Sequence, residues 1–230
     1  MNLELSNILK IYSTKGHIDF TGRLLSFSKD TTIALFTDLL TMYINDKNSS
    51  TLREYLTVII SGYEHSEGKI GFNGYRQNSI LDGKPLYCEA KPKNISTTDF
   101  HNPDKKSKRK LNGGGNYTDY TWARFEKDKL ENPHLLVSGF VDGKLIYIIE
   151  FPFNCETFTS NFEKQLQKAF PNGREAGKYL RSCSFKYDNF MSDKDTKIVF
   201  CLDNSELVEY KQYFDRNFYK LLSEYSPILF

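Results

Sequence analysis

The chain has 230 residues and a formal charge of only +2, from 31 lysines and arginines against 29 acids. That balance excludes a globally basic nucleic-acid coat, so any grip on a polyanion has to come from a local patch. A hydrophobic fraction of 39% is enough for one substantial core in a single domain over 1–230. No apolar run approaches bilayer-spanning length, and Met1-Asn2-Leu3-Glu4-Leu5 lacks the basic start of a signal peptide. The expectation is therefore a soluble, cytoplasmic protein without a membrane partner. Cys88, Cys155, Cys183 and Cys201 form no C-x-x-C pair. Neither a zinc site nor a disulfide framework is indicated, and buried free thiols are expected.

Leu3, Leu5, Ile8, Leu9, Ile11 and Tyr12 recur at helical spacing, and a second stripe of Ile33, Phe36, Leu39, Leu40 and Tyr43 follows Asp30 as N-cap. Thr51-x-x-Glu54 reads as a capping box opening a third helix that stops between Gly62 and Gly68. Residues 1–68 are thus expected to be mainly helical.

Residues 69–153 are expected to hold two hairpins and a basic loop. Gly71 to Leu81 and Lys84 to Lys91 flank Asp82-Gly83, a two-residue turn signal, and His134 to Val141 and Lys144 to Phe153 flank Asp142-Gly143 in the same way. The second pair is continuously apolar, as in a sheet covered on both faces. Between the hairpins, Ser96 to Tyr120 is predicted to be a long flexible loop, with Gly113-Gly114-Gly115 as a hinge. No Gly-Lys-Ser/Thr follows those glycines, so they are not a P-loop. Residues 154–230 should add a helix over Phe162 to Phe170, a strand over Lys197 to Leu202, and a final helix from Ser205 through Leu221. The fold class is α/β, a mixed central sheet flanked by helices.

The stretch that carries chemistry is Pro85-Leu86-Tyr87-Cys88-Glu89-Ala90-Lys91-Pro92-Lys93-Asn94. Strand side chains alternate, so Glu89 and Lys91 point the same way. A carboxylate that holds a hard cation beside an ammonium that holds a phosphate or a water is the core of a metal-dependent phosphodiesterase. With Asp82 and Gly83 as a two-residue turn, Lys91 falls opposite Gly74 and Glu89 opposite Arg76. Asp82 then lies roughly 20 Å from Glu89 along the strand, too far to share an ion. A partner ligand has to come from the start of the first strand, at Asn73, with Asn78 a rival nearer the turn.

Glu89-Ala90-Lys91 at the end of the second strand of a hairpin resembles the signature of the PD-(D/E)XK nucleases, and within them the type II restriction endonucleases. The resemblance covers about 25 residues, and Asn73 stands where the family has its first aspartate. It implies a restriction-endonuclease-like core and Mg²⁺ as cofactor, bound by Glu89, the residue at 73 and the backbone carbonyl of Ala90. Lys91 would activate water for phosphodiester hydrolysis that leaves 5′-phosphates. An amide contributes no negative charge, so another acid has to supplement it. Glu64 or Glu67, beyond the capping-box helix, are the candidates.

Lys93, Lys105, Lys106, Lys108, Arg109, Lys110 and Arg124 offer cations for DNA phosphates, and Asn112, Asn116, Tyr117 and Thr118 offer groups for base edges. Lysine-rich loops are also commonly just solvated. The four histidines show no ligand spacing, and Trp122 is expected to anchor the core. The implied activity is sequence-specific cleavage of double-stranded DNA by a homodimer, since a palindromic target matches a two-fold axis. The competing readings are a structure-specific or repair nuclease, and a catalytically inactive DNA-binding protein of the same fold.

Overall fold

The computed structural model describes residues 3–14, 22, 25–45, 50–66, 71–77, 83–105, 108–173 and 177–225. In chain order the elements are helices α1 (Leu3–Thr14), α2 (Lys29–Asn45) and α3 (Thr51–Ile60), strands β1 (Glu64–His65), β2 (Gly74–Arg76) and β3 (Leu86–Ile95), helix α4 (Thr97–His101), strand β4 (Gly115–Tyr120) and helix α5 (Trp122–Glu131). There follow β5 (His134–Val141), β6 (Lys144–Pro152), α6 (Glu156–Ala169), β7 (Leu180–Phe185), β8 (Lys197–Cys201), α7 (Asn204–Leu207) and α8 (Arg216–Ser223). A six-stranded mixed sheet runs β1-β2-β3-β5-β6-β8, with β3 and β5 parallel and the other neighbours antiparallel. A separate two-stranded antiparallel sheet joins β4 to β7.

The central sheet is covered on both faces, which is why Leu135 to Val141 and Leu145 to Phe151 are buried without alternation. One face meets the N-terminal helices, where Ile8, Leu9, Leu35, Tyr55 and Leu56 pack on Phe140, Leu145 and Ile148, and Val58 and Tyr63 pack on Cys88, Ala90 and Leu136. The other face meets α5, α6, the small sheet and the C-terminal helices in an aromatic core, in which Phe151 stacks on Phe190 at 4.0 Å and Phe158 on Phe162 at 4.3 Å. Trp122 packs against this core, and Cys88, Cys155 and Cys183 are buried free thiols.

Several expectations change. The β2–β3 register pairs Gly74 with Cys88 and Arg76 with Leu86, so Lys91 does not face Gly74 and Glu89 does not face Arg76. The connection spans residues 77–85 instead of two residues, and Asp82 and Asn78 lie outside the described residues. A turn dipeptide fixes register only when the strands run up to it. They do so in the second hairpin, where Asp142 (φ 46°) and Gly143 (φ 82°) form the left-handed pair between Val141 and Lys144. Thr51 is the first helical residue of α3, Ser50 is its N-cap without a side-chain bond, and Glu54 reaches Asn73. On α2 it is Leu35 that is buried, while Ile33 and Phe36 are exposed.

The stretch from Ser96 to Tyr120 is not a long flexible loop. It contains α4 and β4, and Leu111, fully buried, exchanges backbone hydrogen bonds with Tyr213 and Asp215. The glycine triplet is a close-packing site instead of a hinge: a Cβ on Gly114 would lie 2.3 Å from the Phe185 carbonyl, and one on Gly115 would meet the Phe185 ring at 2.9 Å and Lys91 Cβ at 3.1 Å. The final helix is broken by an extended Phe214, and Asp215 caps a new start at α8 by accepting from the Asn217 and Phe218 amides. Strand β7, buried at Cys183 and Phe185, is an element beyond those expected.

Glu150, 1% exposed, lies on the N-terminal-helix face of β6. It accepts from His134 Nδ1 at 2.6 Å and Tyr63 Oη at 2.8 Å, and pairs with Arg76 at 3.4 Å and Lys197 Nζ at 3.1 Å. The network ties β2, β5, β6 and β8 together. Burial alone would raise the Glu150 carboxyl, but the bonds from His134 and Tyr63 and the Lys197 charge outweigh it and hold the pKa at about 2, below the ordinary 4.5. The stabilisation is therefore complete above pH 4.5 and is lost as pH falls through about 2. Glu150→Gln is expected to cost about 3 kcal/mol at neutral pH by removing the buried carboxylate that His134, Tyr63, Arg76 and Lys197 converge on. Urea unfolding across this acid range should show the wild type losing its advantage over the variant as the pH falls.

Candidate functional site

Strand β3 has two halves. Leu86 to Cys88 pair with β2, and Cys88 to Ile95 pair with β5, so the two ladders overlap at Cys88 and from Glu89 to Ile95 only β5 pairs with it among the described strands. Pro92, which has no N–H to give, is tolerated because its nitrogen faces the same edge as that of Ala90, away from the ladder. Along this half, Cys88 and Ala90 point into the core under α3, and Glu89, Lys91 and Lys93 point to the opposite face.

Lys91 Nζ donates to Glu89 Oε1 at 2.7 Å, as their shared face requires. The ammonium rests 4.1 Å from the centre of the Tyr117 ring, and both side chains are largely buried, 18% and 11% exposed. Asn73, the residue just before β2, accepts the Ala90 N–H on Oδ1 at 2.8 Å and donates to Glu54 Oε2 at 3.4 Å. The slip in register brings Asn73 level with Glu89, closer than the expected pairing would have set it.

A second acid, which the sequence reading missed, approaches from α5. Thr121 caps that helix by accepting the Arg124 N–H at 3.1 Å, and the four-residue spacing puts Arg124 and Asp128 on one side of it. The Arg124 guanidinium stands 3.8 Å from Glu89 Oε1 and 3.7 Å from Asp128 Oδ2, over the Tyr117 and Tyr120 rings. Asp128, 4% exposed, accepts the Tyr120 hydroxyl at 2.8 Å. Burial raises the Asp128 carboxyl above its ordinary value, opposed by the Tyr120 bond and the Arg124 charge. An Arg-x-x-x-Asp pair at helical spacing after Thr121 was the signal available for it.

The other expected site residues divide. Glu64 pairs with Tyr75 two strands away from β3 and accepts the Tyr75 hydroxyl at 2.9 Å, so it does not join Glu89; Glu67 lies outside the described residues. Lys93 donates to Asn112 Oδ1 at 3.1 Å, and burial together with the nearby Arg109 charge lowers its pKa. Lys105 pairs with Asp99 at 2.8 Å, Lys108 sits over the Phe100 ring, Arg109 and Lys110 are exposed, and Lys106 lies outside the described residues. Tyr117 is buried, 3% exposed, and cannot reach a base; Asn116 and Thr118 are exposed but project from the face of β4 opposite Lys91.

No three His, Cys, Asp or Glu side chains converge on a common point among the described residues. The hard oxygens on this part of the chain are the Glu89 carboxylate and the β3 backbone carbonyls, with the Asn73 amide oxygen beside them already accepting the Ala90 N–H. With a single carboxylate, such a set would suit only an ion that keeps most of its waters. Neither a protein-family model nor a curated protein matches the chain.

Asn73→Ala removes the acceptor for the Ala90 N–H and is expected to lower stability by about 1–2 kcal/mol. Asn73→Asp keeps an oxygen there but adds charge beside Glu54 and Glu89. Its melting temperature should fall without divalent cation and recover on adding Mg²⁺ more than the wild type's rises. Melts with and without Mg²⁺ read both effects, and an Asn73→Asp protein indifferent to Mg²⁺ removes position 73 from the ion's surroundings.

Proposed function

We propose that the chain is a Mg²⁺-dependent endonuclease that cleaves double-stranded DNA at specific sequences, in the manner of the type II restriction enzymes, working as a homodimer on a two-fold-symmetric target. The observation that carries this reading is the Glu89 carboxylate with the Lys91 ammonium 2.7 Å from it and the Asn73 amide against Ala90, at the half of β3 that has no second strand among the described residues. A substrate backbone can approach that edge without displacing a β ladder.

In this reading Glu89, with the Asn73 amide and the Ala90 carbonyl, binds the cofactor. The ion supplies Lewis-acid polarisation of the scissile phosphate and charge compensation in the in-line displacement. Lys91, held by Glu89 on one side and the Tyr117 ring on the other, orients the attacking water and stabilises charge on the phosphate oxygens. Lys93 and Arg109, close enough for their charges to repel, extend the cationic track from the site toward the exposed Lys108 and Lys110. Phosphates lying along that track would set the register of the duplex without reading its sequence.

One observation favours a second reading, a DNA-binding protein of the same fold without catalysis: position 73 supplies an amide in place of a carboxylate, and of Glu89 and Asp128 the second is bound by a tyrosine hydroxyl. Incubating purified protein with plasmid DNA and Mg²⁺ separates the two. Discrete fragments with 5′-phosphate ends support the nuclease, whereas specific retention of DNA without cutting supports the inactive binder. Glu89→Ala and Lys91→Ala are each expected to lower cleavage by at least about 10³-fold while leaving binding largely intact. Undiminished cleavage by either variant removes that residue from the mechanism.

A further inference from the structure

We propose that Arg124 is an internal counter-ion that keeps the Glu89 carboxylate closed to a divalent cation in the free protein and passes to a phosphate when a nucleic acid binds. This rests on the reading of Glu89 as a cation ligand given above. It assigns the site a regulatory device that neither the resemblance nor the Glu-x-Lys motif contains.

The charge count is the first argument. Glu89 and Asp128 are buried carboxylates, with side chains 11% and 5% exposed, and Lys91 and Arg124 are the two cations that the structure sets against them. Two negative charges facing two positive ones make the group neutral as it stands. A divalent ion arriving at Glu89 would meet no net attraction and a guanidinium already within 3.8 Å of Oε1. Withdrawing Arg124 leaves one uncompensated negative charge on two largely buried carboxylates, to which an ion is drawn.

Geometry is the second argument. Lys91 is hydrogen-bonded to Glu89 at 2.7 Å, whereas Arg124 stands 3.8 Å from Glu89 and 3.7 Å from Asp128, beyond hydrogen-bonding distance on both sides. Its side chain is 43% exposed, and its backbone is fixed by the Thr121 cap. The guanidinium is therefore poised at the rim on a capped helix, held by Coulomb attraction and by the faces of the Tyr117 and Tyr120 rings but by no hydrogen bond to either carboxylate, so it can turn outward by giving up weak contacts. A planar guanidinium binds a phosphate bidentately, a stronger and more directional contact than either ion pair it makes here. Binding a duplex thus removes the occupant of the cation's place and delivers a phosphate to complete the ion's coordination, so the site loads its cofactor only with substrate present.

Terbium luminescence tests this with the full-length chain, because Tyr117 and Tyr120, the rings beneath Arg124, sensitise an ion bound at Glu89. In the absence of DNA, Arg124→Gln should bind Tb³⁺ about tenfold tighter than the wild type, the loss of one cationic neighbour at this range. Arg124→Lys, which keeps the charge, should stay within about twofold of the wild type. An uncleavable short duplex should tighten Tb³⁺ binding to the wild type and leave Arg124→Gln less affected. If Arg124→Gln, folded by circular dichroism, binds Tb³⁺ no tighter than the wild type, the proposal is overturned. Plasmid cleavage is measured separately, so a protein that binds Tb³⁺ as expected but never cuts DNA refutes the nuclease reading and leaves the counter-ion role standing.

Discussion

Among the described residues, the end of β2's pairing with β3 at Cys88 is the constraint on which the candidate site depends. Upstream, β2 holds the strand through Gly74, Tyr75 and Arg76, and the side chains at Cys88 and Ala90 are locked under α3. Downstream, β5 alone holds it among the described strands. The strand is thus rigid at its core-facing edge and open at the other, the combination a site needs when it must hold side chains still and admit a polymer backbone. Asn73 marks the boundary. Its amide oxygen takes the Ala90 N–H in place of the next ladder bond, so the chain leaves the sheet at the level where chemistry is proposed to begin.

Two buried glutamates lie on opposite faces of one sheet, and they are held differently. Glu150 is met by His134, Tyr63, Arg76 and Lys197, two of them through hydrogen bonds shorter than 3 Å, and its carboxyl is driven to about 2. Such a carboxylate is fully committed to structure: breaking one partner would leave charge stranded between four strands. Glu89 has one short bond, to Lys91, and a distant guanidinium. A carboxylate tied to four neighbours stabilises, whereas one held by a single short bond and a guanidinium that makes no hydrogen bond to it can exchange that second partner. The contrast between the two separates scaffold from site more sharply than burial does, since both are nearly inaccessible.

What the sequence disclosed followed from periodicity and local chemistry. Continuous apolar runs identified β5 and β6 and their covered sheet, and alternation along β3 put Glu89 and Lys91 on one face, where their side chains meet. The errors came from inferring long-range geometry from a local signal. Asp82-Gly83 suggested a tight turn, but β2 stops at Arg76, and the register slipped by an odd number of residues. Glycines at 113–115 suggested freedom, yet their lack of a side chain serves close contact with Phe185, Phe218 and Lys91. Asp128 was invisible because its relation to Glu89 runs across a helix and a sheet separated by almost forty residues, with only Arg124 spanning the gap.

The same placement explains why the small β4–β7 sheet matters to a site it does not directly build. Gly115 approaches Lys91 so closely that a methyl group would touch its Cβ, and Tyr117, two residues on, lies under the ammonium while Cys183 pairs with it from β7. Tyr120 then ends the strand by donating to Asp128, and Thr121 caps the helix that carries Arg124. Within seven residues the chain therefore supplies the floor beneath Lys91, the anchor for the second acid and the start of the helix that places the guanidinium. A displacement of β4 would move all three together, so the electrostatic balance at Glu89 is set by how the two sheets pack and not by any one contact.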